Sequence, residues 1–195
     1  MSSIRALSLL ALATLSLPAA AATYEVDASH SRVGFSVQHM MMTDVRGEFA
    51  TVSGKVEFDA ANIAATKVNA TIGVTSVDTR EQKRDDHLRS PDFFDAAKFP
   101  SMTFASKSVK NVAADGFDLV GDLTIRGVTK EVTLRVAPFS KELKDPWGNI
   151  KTATRATGSI NRKDFGLVWN QTLDAGGLLV GDTVKIELDV ELNRK

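Results

Sequence analysis

The 195-residue chain contains no cysteine. A disulfide framework and a lipid anchor through a lipobox cysteine are both excluded, so an apolar core must carry the stability. Basic and acidic residues balance to a formal net charge of zero, and no run of like charge upsets the balance. That argues against nucleic acid as a partner, which selects basic surfaces. One tyrosine and two tryptophans are too few for the aromatic girdles of an outer-membrane barrel. After residue 22 no apolar run approaches the ~20 residues that a membrane-spanning helix needs.

The start of the chain has the form of an export signal. Arg5 supplies the positive end, Leu7 to Leu17 is apolar, and Ala20-Ala21-Ala22 offers small residues for cleavage. The expectation is a signal peptide over 1–22, cleaved near Ala22, and one soluble domain over 23–195 with a net charge near minus one. No linker, low-complexity stretch or internal repeat divides that domain.

Period-two alternation recurs along the domain, the mark of strands with one wet and one buried face. Val33, Phe35 and Val37 share a face. Val56 and Phe58 end a strand predicted to begin around Arg46, with Gly54 marking a bulge or bend. Val68, Ala70, Ile72 and Val74 form a third strand, and Met102 and Phe104 belong to a fourth. Asp115-Gly116 turns the chain into Phe117, Leu119, Leu123 and Ile125, with Gly121 between them. Val132, Leu134 and Val136 run back until Pro138, and Asp145-Pro146-Trp147-Gly148 is a β-turn. The last two strands span about Ile150 to Asn161 and Val184 to Leu192.

One passage breaks this rhythm. From Asp78 to Phe99 the pattern is helical, with Asp78 and Glu81 placed as a capping box and Ser90-Pro91 restarting a short turn through Asp92-Phe93-Phe94-Asp95. The segment reads as a helical plug on a core, or as a lid over a cavity.

About eight strands joined by short reversals make an antiparallel meander, which can form a sandwich or close into a barrel, and closure removes the aggregation-prone edges. The predicted fold class is all-β, with closure giving an eight-stranded antiparallel barrel with a short helical segment between strands 3 and 4. At eight strands the interior is either just filled by side chains or just wide enough for one small ligand. Strand count alone leaves that choice open.

Several motifs carry a resemblance across nearly the whole domain. Ser29 to Met40, Val45 to Phe49, Val77-Asp78-Thr79, Arg84 to Ser90, Asp92 to Asp95, Gly121 to Lys130 and Ile160 to Gly166 are similar, in this order, to the YceI family. The resemblance implies a lipocalin-like barrel in the bacterial periplasm that holds a long isoprenoid or similar amphiphile, such as a polyprenyl phosphate or an isoprenoid quinone. It implies no shared catalytic residues and no cofactor beyond the bound lipid.

A barrel of ~10-residue strands offers a bore of roughly 25 Å, suited to an elongated apolar ligand. Its expected wall is Val33, Phe35, Val37, Ile72, Val74, Phe104, Leu123, Ile125, Ile186 and Leu188, with Phe93, Phe94, Phe165 and Trp169 near the ends. Met40 joins them as adaptable apolar lining. His39, Arg46, Arg84 and His87 are the candidate donors to a polar head group. His39 with Met40-Met41-Met42 also offers soft copper ligands, but no second ligand cluster accompanies them, and no metal site is predicted. His39 or His87 could serve an enzyme as acid or base, yet no nucleophile motif or metal triad accompanies either. Leu178-Leu179-Val180 is a candidate membrane-touching tip or end packing. Transient membrane contact and pairing of two barrels are open partner readings.

Overall fold

A computed structural model describes residues 21–174 and 176–195. Apart from Ala21 and Ala22, the export-signal reading lies outside the described residues.

Twelve hydrogen-bonded segments make eight barrel positions. The first position is shared by β1 (Ala22–Val26) and β2 (Arg32–His39), and the second by β3 (Thr43–Phe49) and β4 (Val52–Phe58). The third holds β5 (Lys67–Gly73) and the two-residue β6 (Val77–Asp78). Helix α1 (Gln82–Arg89) follows, then β7 (Ser101–Ala113), β8 (Gly116–Ile125) and β9 (Val128–Val136). A short β10 (Leu143–Lys144) forms a hairpin with β11 (Ile150–Asn161), and β12 (Val180–Arg194) is the longest strand. The ring runs β11-β9-β8-β7-β5-β4-β1-β12, and β12 pairs back onto β11 from Asn193 to Thr183. Along its other edge β12 pairs first with β2 and then, past a kink, with β1.

That kink is held by charge. Lys151 Nζ donates to Asp27 Oδ2 and Glu191 Oε1, both at 2.7 Å. The Lys151 contact, helped by Ser29 and His30, holds the Asp27 carboxyl well below the usual carboxylate range.

Several expectations for the second and third positions need correction. The strand expected from about Arg46 to Phe58 is broken at Ala50-Thr51, where the Ala50 and Thr51 N–H groups donate to the Ser76 carbonyl and Oγ. The break lets β3 pair with β6 while β4 pairs with β5. Gly54 marks no bulge: it sits in regular register opposite Ala70. Val74 leaves the sheet for a 3-10 turn, Val74–Ser76.

The capping box also fails to form. Asp78 is in β6 and accepts from Arg80 N–H at 2.7 Å, and Arg80 has φ 65°, which reverses the chain and stops a helix from starting earlier. Glu81 is the cap instead, accepting from Lys83 N–H.

Two inward glycines make room for aromatic rings. A Cβ on Gly121 would collide with the Phe104 ring and lie 2.7 Å from the Ala105 carbonyl oxygen, and one on Gly47 would meet the Phe35 ring and Thr79. Replacing Gly121 with alanine is expected to destabilise the protein by about 1–3 kcal/mol through overpacking, measurable by urea unfolding.

The end of the barrel where β8 begins is closed by rings. Phe139, beyond the Pro138 that ends the β9 alternation, stacks on Phe58 at 4.0 Å and lies 6.4 Å from Phe117. Tyr24 packs on Phe58 and donates to Glu142 Oε1 at 2.7 Å. Burial, and then Glu142, push the Tyr24 phenol from 10.0 up to about 12. The fold thus favours the neutral phenol, so this contribution to stability is complete below pH 10 and is lost as pH rises toward about 12. Ultraviolet titration of this sole tyrosine should show its ionisation midpoint near 12 in the native protein and near 10 once unfolded.

Candidate functional site

Inside the ring is a cavity of about 430 Å³ with an almost wholly apolar lining. Its wall is uneven. The inward side chains of β7 and β8, among them Met102, Phe104, Phe117, Leu119, Leu123 and Ile125, are buried against one another. Val33, Phe35 and Val37 on β2, and Val184, Ile186, Leu188 and Val190 on β12, also face the cavity but are only half-buried. An inward side chain stays accessible only where no neighbour covers it, so the empty space lies along β2 and β12.

Most of the predicted wall lines this cavity: Val33, Phe35, Val37, Ile72, Phe104, Leu123, Ile125, Ile186 and Leu188. Phe93, Phe94, Phe165 and Trp169 line it as well, as do His39, Arg84 and His87. Val74, Met40 and Arg46 do not. Val74 is 1% exposed in its 3-10 turn and packs into the core. Met40, at φ 52°, sits outside on the β2–β3 hairpin tip. Arg46 lies opposite Ser36 on the outward parity of β3, whose inward residues are Val45, Gly47 and Phe49.

Residues absent from the prediction complete the wall. Val52, Val68, Val132, Ile160, Val184 and Val190 belong to the same alternation and were findable by extending each strand's parity. Phe139 and Leu167 come from irregular segments with no such signal. Thr66 also lines the cavity, and its buried Oγ1 has no hydrogen-bond partner among the described residues.

Helix α1 covers the end opposite the Phe139 cluster. It is fastened through Asp85, which is 5% exposed and accepts from Thr79 N–H at 2.9 Å and Thr79 Oγ1–H at 2.6 Å. Arg84 donates from Nε to Thr79 Oγ1 and from Nη2 to the Thr79 carbonyl, leaving Nη1 without a partner among the described residues. Arg89 ties the last turn to the carbonyls of Thr75 and Val77. The turn after Ser90 is irregular rather than helical, so its adjacent phenylalanines diverge: Phe93 meets Trp169, and Phe94 meets Phe49 edge-on at 5.7 Å. His87 lies between Phe93 and Trp169, at 5.0 and 4.8 Å, and its Nε2 is 2.9 Å from Asp92 Oδ2.

Only two of the residues lining the cavity are exposed, Gln38 and Arg84. Gln38 is exposed on the outward parity of β2, opposite Asp44, so Arg84 on α1 marks the solvent-facing end of the lining. The described segments 166–174 and 176–179 lie between the β2–β3 hairpin and α1, with Trp169 against His87 and Leu179 bonded to Met40, and Arg162 holds them. Its guanidinium, 4% exposed, donates to the carbonyls of Leu167, Trp169 and Gly181 and lies 3.4 Å from Asp182 Oδ1.

Two candidate cation sites reduce to ordinary contacts. Asp27, His30 and Glu191 converge outside the barrel, where the Lys151 ammonium already takes both carboxylates. His39 lines the cavity, whereas Met41 and Met42 stand exposed on the hairpin tip.

An eight-position antiparallel ring around an apolar bore, with one short helix across its open end, defines a lipocalin-like barrel. Residues 24–192 match the YceI-like domain model, and the chain belongs to the YceI-like family. It is 46% identical over 151 residues to Protein YceI of Escherichia coli O17:K52:H18, covering 76% of this chain and 78% of that one. BcnA of Burkholderia cenocepacia has the same fold with a TM-score of 0.74 at 26% identity, over 85% of this chain and 98% of that one. A polyisoprenoid binding domain from Saccharophagus degradans shares the fold alone, at 17% identity with a TM-score of 0.62, over 90% and 99% of the two chains.

Proposed function

We propose that this chain binds a long isoprenoid or similar amphiphile in its bore, a polyprenyl phosphate or an isoprenoid quinone, and carries or stores it in the periplasm after loss of the export signal. The observation that carries this reading is the half-buried inward face of β2 and β12. Those valines, isoleucines and leucines border space that no side chain fills. A ligand chain laid along them leaves water at roughly 25 cal/mol per Å² of apolar surface buried, before ordering costs. The cavity volume falls within the ~300–1,000 Å³ of ordinary ligand sites. The polyisoprenoid binding of the Saccharophagus degradans domain, built on the same fold, supports the choice of ligand class.

The head group would sit at the open end, where Arg84 has an unused donor and His39 and His87 line the wall. Phosphate and quinone oxygens both accept hydrogen bonds from such groups. The reading is one of binding rather than catalysis, and the polyisoprenoid binding of the Saccharophagus degradans domain supports it.

Native mass spectrometry of the protein purified from its own periplasm tests the proposal. One amphiphile per chain, released on denaturation, is the expected result. A bare chain mass, under conditions that retain lipid on a control carrier, would overturn it in favour of a structural or stress-protective barrel.

A further inference from the structure

Beside the open end of the bore stand apolar side chains that the described chain leaves exposed. Met41 is 58% exposed, Met42 78% and Val168 63%, and Met40 and Leu178 are exposed beside them. We propose that this rim docks the barrel, open end down, on a lipid bilayer surface.

The backbone of the hairpin tip gives the first argument. Met40 and Met41 both lie in the left-handed region, at φ 52° and 58°, where Asn, Asp or Gly would be at ease. Methionines there strain the turn, and Met41 nevertheless stays 58% exposed. Side chains that cost folding twice, in strain and in exposure, point to a use outside the fold.

Their placement gives the second. Met40 N–H donates to the Leu179 carbonyl at 2.9 Å, and the Met41 thioether lies against Gly177, so the hairpin tip and the 166–179 loop form one surface. His39, Leu179 and Val180, the residues next to this rim in sequence, line the cavity. Arg84, the lining residue exposed on α1, lies at the same end of the bore. An apolar ligand leaving there would meet the rim before it met water.

Size and shape select the occupant. The rim exposes roughly 500 Å², below the ~800 Å² per partner of a stable protein interface. It consists of separate protruding tips, three of them flexible thioethers, rather than a groove or a flat sheet edge. Protruding tips suit the deformable headgroup region of a bilayer, where each can insert by itself.

The proposal rests on the carrier reading only for what docking would accomplish. Flotation with vesicles of phosphatidylethanolamine and a minority of phosphatidylglycerol tests it, comparing the native chain with Met41→Asn/Met42→Asp. Native protein should float with the vesicles, and the variant should lose about tenfold or more of its partitioning. Its thermal midpoint should hold or rise, because asparagine suits φ 58° better than methionine. Native protein that stays with the solution, or a variant that floats equally well, would overturn the proposal. So would vesicle-free sedimentation showing a dimer that the variant dissociates, since the rim would then serve a second copy. Uptake of phenylnaphthylamine from solution by both proteins reads the bore separately: uptake without flotation defeats docking alone, and absence of uptake defeats the carrier reading.

Discussion

Replacing Arg162 with methionine should lower the unfolding free energy by about 3–5 kcal/mol and release the loop at the open end of the barrel. Methionine keeps an unbranched apolar stem, shorter than the arginine side chain, and donates no hydrogen bond. The carbonyls of Leu167, Trp169 and Gly181 would each lose a donor, and Asp182 would keep only Lys163, at 2.8 Å. Burial pushes the Arg162 guanidinium down from its ordinary value while Asp182 pulls it back, and a guanidinium remains charged under all native conditions. The penalty should therefore be independent of pH across the neutral range. Lysine should rescue little, because one ammonium cannot reach carbonyls that a planar fork meets from several sides. Urea unfolding gives the energy. In a Trp147→Phe background Trp169 is the only tryptophan, so a red shift of its emission reads the release of the loop from His87 and Phe93. A variant with native stability and an unshifted emission would show that the loop is held by its other contacts.

Filling the bore should separate binding from folding. Ile186→Trp with Leu188→Trp places two indoles on the inward face of β12, where both native side chains are half-buried against empty space. Lipid occupancy in the purified protein should fall about tenfold or more, with a stability change within about 1 kcal/mol, since the added volume enters a cavity rather than a packed core. Phe104→Ala is the contrasting change. Phe104 is 7% exposed and lies over Gly121, and its loss should cost about 3–5 kcal/mol. Occupancy by mass spectrometry and unfolding in urea, measured on both variants, distinguish a bore from a core. If the β12 variant proved as unstable as Phe104→Ala while lipid occupancy stayed at the native level, the empty face of β12 would be the wrong place for the ligand.

The alternation of β2, β8, β9 and β12 was legible because it is local. Side chains on a strand point to opposite faces whatever the strand later pairs with, so Val33, Leu123 and Ile186 could be placed inward from spacing alone. The family motifs and the presence of a helix near residues 82–89 were legible for the same reason. Local signals misled where tertiary partners competed. Ser76 and Thr51 split one expected strand in two, and Arg80 moved the helix cap from Asp78 to Glu81. Arg46 was chosen for its charge although strand parity turns it outward.

The sequence by itself determined most of the strands and their inward faces, while the pairing of β12 back onto β11 closes the ring. Only the tertiary structure decided which inward faces are packed and which border empty space. Ile186 and Leu123 are equivalent in the sequence pattern, yet Leu123 is buried among neighbours and Ile186 stands half-open. The difference arises because a cavity is what remains when the volume enclosed by the ring exceeds the volume of the side chains sent into it. That balance depends on Phe139 reaching in from an irregular segment, on rings lying over Gly47 and Gly121, and on Arg162 fixing the loop at the open end. Each of these is a meeting of residues distant in space or in pattern, and no local spacing encodes it.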